Sequence, residues 1–338
     1  MSSSASIEDV ARLAGVSIAT VSRSLRGLPE VAPATRARVL DAARQLDYVA
    51  SPFAARLASG RTSTVGVVVP FVNRWFFAEV LGAVQGVLGE GGYDLLLFNL
   101  AGPSGREKFF TELPVRKRVD AVIVVSLELT GAEDVALRGL GLPIGLIGTT
   151  SAGFSSVRID DIGSADLAVT HLISLGHEKI GLIGGDTDDP MRFTPPLHRR
   201  DGYLNALRRA GLAADPSHEV LGYFTVDGGE QAMRQMLSVA QRPTAVFAES
   251  DEMAYGALRA LRRSGLRVPE DIAVIGFDDH ASANLLDLST IRQPVAEQGV
   301  RIATEMLCAT ESNRASEASV LSTELVVRGS TDPTQSIY

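Results

Sequence analysis

The sequence is poor in the groups from which cross-links, metal centres and catalytic dyads are built. It has one cysteine, Cys308, so neither an internal disulfide nor a multi-cysteine zinc site can form. Its five histidines, His171, His177, His198, His218 and His280, do not fall at metal-ligand spacing. No apolar run reaches the roughly 18 residues of a membrane span. The opening MSSSAS lacks a basic stretch followed by an apolar core, so no secretory signal is expected and a cytoplasmic location is. The patterns G-x-S-x-G, H-E-x-x-H, G-x-x-x-x-G-K-[ST] and G-x-G-x-x-G are all absent. Gly139 and Gly141 begin the last of these, but Ile144 stands at its final glycine. These absences nominate no catalytic residue, no metal and no cofactor, and they count against a nicotinamide-dependent α/β enzyme.

What is present is ordinary globular material. The chain has 338 residues, 45% apolar and 21% charged, with 32 Gly and 15 Pro, enough for two or three domains with sizeable cores. The net charge of −8 is unevenly spread. Residues 1–61 carry eight arginines against five acids, while the remainder has 24 basic and 35 acidic side chains. A small basic module on a large acidic body suits a DNA binder with a separate regulatory domain, and equally a helical cap with solvated arginines.

The first 46 residues predict three short helices. Ser6 with Asp9 resembles a capping box, Val10, Leu13 and Ala14 form an apolar face, and Gly15 ends the helix. Ser17 can cap a second helix that buries Val21 and Leu25. A third, starting near Pro33, buries Val39, Ala43 and Leu46. The link Gly15-Val16-Ser17 is as short as a helix-turn-helix requires, which would present the second helix to a major groove. The segment Pro52–Ala58 is helix-compatible but, at seven residues, well below the roughly 12–15 at which an isolated helix becomes marginal.

From Thr64 onward, continuous apolar runs (65–70, 93–98, 121–125, 143–148, 179–185, 244–249 and 272–279) alternate with segments of helical periodicity. Runs apolar on both faces predict buried parallel strands, and the alternation predicts βαβ units in two sheets with a boundary near 160–164. In such sheets a ligand lies beyond the carboxyl ends of the strands, and two facing sheets place it in the cleft between them. Asp278-Asp279, directly after a strand, read as polar ligand contacts or as turn and capping residues. Arg199-Arg200 are a solvated patch, or one arginine reaches into the cleft; His177 is expected to make a hydrogen bond at a helix end.

The run SIEDVARLAGVSIATVSRSLRG (6–27), followed by Thr35-Arg36, Val39 and Tyr48, resembles the headpiece of the lactose repressor family of bacterial transcription regulators. The resemblance continues through 56–62, VGVVVP, Leu175-Gly176-His177, Arg199 with Gly202-Tyr203, Ser250-Asp251, residues 269–272, 276–279 and 290–293. It implies a small all-α helix-turn-helix headpiece (1–50), a hinge helix and linker (51–62), and an α/β core (63–338) of two periplasmic-binding-protein-like subdomains. Their expected extents are about 63–162 plus 293–322 and about 163–290 plus 323–338, with three crossings of the chain. A binding protein of the periplasmic type, which the core alone would suggest, is disfavoured by the headpiece and the missing signal.

The resemblance also implies roles. Ser17, Thr20 and Ser22 would bond phosphates, Ile18, Ala19 and Arg23 would read bases, and Leu57 would wedge into the minor groove. A small polar effector, a sugar or sugar derivative, would contact Phe71, Asn73, Phe77, Ser126, Arg199, Phe224, Ser250, Asp278 and Gln293. Two-fold homodimers would bind a pseudo-palindromic operator as repressors. The chain departs from the family pattern where Ala50 replaces the usual hinge proline, where the unusual Pro52-Phe53 follows it, where Ala32 lacks a capping hydroxyl, and where Ser250 stands in place of the common asparagine.

Overall fold

The computed structural model describes residues 5–25, 28–48, 61–312, 316–332 and 334. Leu57, Ala50 and the rest of the expected hinge helix lie outside them. The chain divides into two compact units, 1–63 and 64–338.

The first unit packs three helices: α1 (Ile7–Ala14), α2 (Ile18–Leu25) and α3 (Pro33–Gln45). Ser6 and Asp9 form a reciprocal capping box on α1. Gly15 ends that helix at φ +62, a left-handed conformation that glycine adopts without Cβ strain. Ser17 Oγ accepts the Thr20 N–H at 3.2 Å and so caps α2. Ala32 offers α3 no side-chain cap; Pro33 presets its first turn instead. Val10, Val21 and Val39 are fully buried and meet at the centre, with Leu25, Leu46 and Tyr48 packed around them.

The second unit contains two six-stranded sheets. The first has the order β11-β5-β4-β3-β1-β2, built from β1 (Thr64–Val69), β2 (Asp94–Asn99), β3 (Ala121–Val125), β4 (Ile144–Ile147), β5 (Ser155–Ile159) and β11 (Ala318–Leu321), all parallel. The second has the order β12-β10-β9-β8-β6-β7, from β6 (Ile180–Gly184), β7 (Glu219–Leu221), β8 (Ala245–Ala248), β9 (Ala273–Asp278), β10 (Ser289–Arg292) and β12 (Glu324–Val326). Only β12 runs antiparallel to its neighbour, β10. The chain passes from one sheet to the other after β5, after β10 and after β11.

Strands β1, β3, β4, β6, β8 and β9 are buried along their whole length, as runs apolar on both faces require. The run 93–98 is a correction to that reading. It forms β2 at the sheet edge, where Asp94, Leu97 and Asn99 are exposed, because an edge strand has a neighbour on one side only.

The helices relevant below are α4 (Trp75–Glu90), α5 (Pro103–Glu112), α6 (Gly131–Arg138), α7 (Asp161–Ser174), α8 (Pro195–Arg209), α9 (Val226–Ser238), α10 (Asp251–Arg263), α11 (Ala281–Leu285) and α12 (Val295–Glu311). Helices α9 and α10 approach each other through glycine. A Cβ on Gly256 would stand 2.0 Å from the Val226 carbonyl oxygen and 2.4 Å from the Glu230 nitrogen. Those neighbours are backbone and cannot give way. Alanine in mid-helix normally gains about 1 kcal/mol over glycine, but here overpacking of roughly 1–3 kcal/mol or more outweighs it. Gly256→Ala is therefore expected to lower the melting temperature of the core in a thermal scan; an increase would mean that α9 and α10 are not held this close.

Candidate functional site

Strand carboxyl ends from both sheets converge on a cavity. Ser126 follows β3, Gly148 follows β4, and Ile159 and Asp161 end β5 and begin α7. From the second sheet come Phe224 after β7, Ser250 after β8, Asp278 at the end of β9 and Gln293 after β10. Three lining residues hold strained left-handed backbone: Ser126 at φ +53, Phe224 at φ +54 and Asp278 at φ +128. Such strain in non-glycine residues gathers where a strand end must present a side chain to a ligand.

The floor is a buried polar relay. Arg199, 4% exposed, donates from Nε to Asp161 Oδ1 at 2.9 Å and from its fork to the Glu249 carbonyl, and lies 3.8 Å from Asp278 Oδ1. Its guanidinium carbon stacks 3.6 Å from the Phe277 ring centroid. Gln293 Nε2 donates to Asp278 Oδ1 at 2.6 Å, and Gln298 Nε2 on α12 donates to Gln293 Oε1 at 3.2 Å. The relay thus starts on the second sheet and ends on a helix that packs against the first. Burial pushes the Asp278 carboxyl above its ordinary value, while Arg199 and Gln293 favour its charged form.

The walls are aromatic. Phe77 lies 6.2 Å from Phe193, and Phe193 meets Phe224 edge-to-face at 5.3 Å. Arg74, which directly precedes α4, places its guanidinium 4.2 Å from the Phe71 centroid and 5.7 Å from that of Phe224. Phe193 belongs to the segment between β6 and α8, which reaches across to the first sheet. Met191 is buried in that sheet's core, and Leu127 pairs with Phe193 in an antiparallel bridge. Arg106 on α5 donates to the Met191 carbonyl, to the Glu128 carbonyl at 2.6 Å, and bidentately to Glu133 at 2.8 and 2.7 Å.

Of the nine effector contacts expected from the sequence, Phe77, Ser126, Arg199, Phe224, Ser250, Asp278 and Gln293 line this cavity. Phe71 does not; it stacks behind, against Arg74 and Phe77. Asn73 is exposed and away from the lining. Ser250 Oγ caps α10 by accepting the Met253 N–H at 3.3 Å. Arg74, Phe76, Asp161, Phe193, Glu252 and Gln298 were missed. Asp161 and Glu252 sit just after strand ends, a signal that would have found them; Gln298 on a helix and Phe193 on a long loop give no such sign. His177 Nδ1 bonds Thr244 Oγ1 at 3.0 Å.

On the first unit, Ser17, Ile18, Ala19 and Arg23 form one exposed face of α2, with Ser22 and Thr20 half-buried beside it. Ile18 is 46% exposed although the same helix buries Val21 completely. Ser17 Oγ and Thr20 Oγ1 are 2.9 Å apart, and Arg23 Nε donates to the Ala19 carbonyl at 3.2 Å. Among the described residues no group of three or more His, Cys, Asp or Glu could hold a metal ion, and no helix is long and apolar enough to cross a membrane.

Residues 6–51 match the family of bacterial regulatory proteins of the lacI type, and residues 169–331 match a periplasmic binding protein-like domain. The chain is 35% identical over 333 residues to the HTH-type transcriptional repressor CytR of Escherichia coli K12, covering 97% of this chain and 96% of that protein. The chain belongs to the LacI family. It is a DNA-binding transcriptional regulator with a periplasmic-binding-protein-like core, and its relatives are repressors rather than enzymes. Among solved structures it is similar to the Lac repressor dimer bound to operator and the anti-inducer ONPF (TM-score 0.85, 26% identity, 97% of this chain and 99% of that one). It is also similar to a complex of the regulator CelR with cellobiose (TM-score 0.71, 34% identity, 96% and 99%).

Glu249 lies behind the relay, 1% exposed, and accepts the Gly185 N–H at 2.8 Å. Burial pushes its carboxyl from an ordinary 4.5 up to about 8, against the pull of that N–H and of Arg199. Between these values the folded chain holds a proton that the unfolded chain has released, so this group's effect on stability worsens as pH rises. Burial raises Asp251 and Asp278 in the same sense. Glu249→Gln is expected to make the fall of melting temperature between pH 5 and 8 shallower. Parallel curves for the two proteins would show that Glu249 is ionised throughout.

Proposed function

We propose that this regulator is a cytoplasmic repressor that binds a pseudo-palindromic operator as a homodimer and is controlled by a small polar effector, a sugar or sugar derivative, in the cavity between the two sheets. The observation that carries the effector reading is the pairing of a buried Arg199–Asp278–Gln293 relay with aromatic walls. Charged forks satisfy ring hydroxyls, and aromatic faces cover the apolar C–H side of a sugar. The similar CelR structure holds cellobiose, which supports the same class of ligand.

The exposed face of α2 carries the DNA reading. Ser17, Thr20 and Ser22 suit phosphate contacts, Arg23 suits a fork onto guanine, and Ile18 and Ala19 suit thymine methyl groups. Leu57 as a minor-groove wedge completes the reading. The effector alters the relative angle of the two halves of the core, and the hinges gain or lose the paired form that docks on DNA.

Two tests address the two ends. In gel shifts with promoter DNA next to the protein's own gene, Arg23→Ala is expected to lose about 1–3 kcal/mol at the operator and much less on random DNA. Equal losses on both would make Arg23 a phosphate contact only. A thermal-shift screen of sugars and nucleosides identifies the effector. By calorimetry, Asp278→Asn should then cost about 2–5 kcal/mol of its affinity, whereas unchanged binding would place the effector elsewhere.

A further inference from the structure

The cavity is electrically lopsided. Its floor offers the carboxylates of Asp161 and Asp278, already engaged by Arg199 and Gln293. Arg74 lines the same cavity together with Phe76, Phe77, Phe193, Pro195 and the carboxylate of Glu252. Arg74 is held by stacking on Phe71, 4.2 Å away, with Phe224 and Phe193 at 5.7 and 6.0 Å. Among the described residues its guanidinium has neither a hydrogen-bond acceptor nor an ion-pair partner within 4 Å. Glu252 and Asp189 favour its charge only at longer range, and burial pushes the Glu252 carboxyl up against the opposing pull of Arg74. The first turns of four helices border the cavity. Asp160 and Ser250 cap α7 and α10, whereas α4 and α8, on the Arg74 side, have no side-chain cap.

A half-buried guanidinium with unused donors is costly unless something in the cleft accepts from it, and water does so only in part. Arg74 therefore favours a ligand group with several acceptor oxygens and negative charge. We propose that Arg74 is a specificity-determining residue and that the effector is a sugar derivative carrying an anionic substituent, a carboxylate or a phosphate, at the end that faces Arg74. This rests on the effector reading above: the floor takes the hydroxyls of the ring, and Arg74 takes the charge. Arg74 suits the task because it stays charged when buried and its planar fork can bind two oxygens at once while stacked on an aromatic ring.

The test is calorimetry on the full chain with two matched sets: glucose, gluconate and glucose 6-phosphate, then ribose, ribonate and ribose 5-phosphate. At least one acidic sugar should bind about tenfold or more tightly than its neutral parent, the scale of a charge-assisted hydrogen bond. Arg74→Gln should bring that ratio close to one, with the fold monitored by melting temperature. Which arm wins separates carboxylate from phosphate. The proposal is overturned if no acidic sugar binds, if the neutral parents bind as tightly, or if the preference survives in Arg74→Gln. Asp278→Asn separates the two levels: undiminished affinity in that variant removes the cavity reading itself, whereas loss there with no Arg74 effect removes only the anionic group.

Discussion

A buried guanidinium keeps its charge and must be paired and bonded, and Arg199 imposes that demand on the residues around it. Taking such a charge out of water costs several kcal/mol unless it is paired and bonded. Here Asp161 from the start of α7 and the Glu249 carbonyl accept hydrogen bonds, Asp278 from the end of β9 adds a charge 3.8 Å away, and the Phe277 ring stacks beneath. Asp278 in turn receives Gln293, and Gln293 receives Gln298 on α12. One charge on α8 thereby orders residues from both sheets. A ligand that competes for any of these bonds must disturb the others, because an unsatisfied member of a buried network is expensive.

The two sides of the cavity differ in kind. The relay side is built on strand ends and helix starts, with strained backbone at Asp278 and Phe224 fixed by dense packing. The other side depends on a long connection whose Met191 sits in the core of the opposite half, under the Arg106–Glu133 pair. Apolar insertion and a bidentate pair hold that connection, and Phe193 faces the cavity from it.

How far the sequence foretold this depends on the kind of signal. Ser6 with Asp9, Gly15 and Ser17 are local devices whose partners lie within a few residues, and each cap was legible from spacing alone. The buried strands were legible because parallel sheets covered on both faces leave uninterrupted apolar runs. Helix α12 was not: its inward face is Val295, Gln298, Gly299, Ile302, Ala303 and Met306, too small and polar in places to mark an apolar stripe. The short strands β5 and β7, with Ser155, Ser156 and Glu219, lack an apolar run altogether. In the site, Arg199 and Asp278 stood out through resemblance, whereas Arg74 and Phe193 join it by stacking across the cleft. Contacts between residues more than a hundred positions apart leave no periodicity to read.

Effector control of operator binding requires linkage between the cavity and the α2 face, and linkage is reciprocal by thermodynamic necessity. The direct measurement is the affinity of the effector found in the screen, determined by calorimetry for the free protein and for the protein saturated with operator DNA. The two values should differ, and by the same factor through which the effector changes operator affinity in gel shifts. Equal effector affinities with and without operator would contradict that linkage.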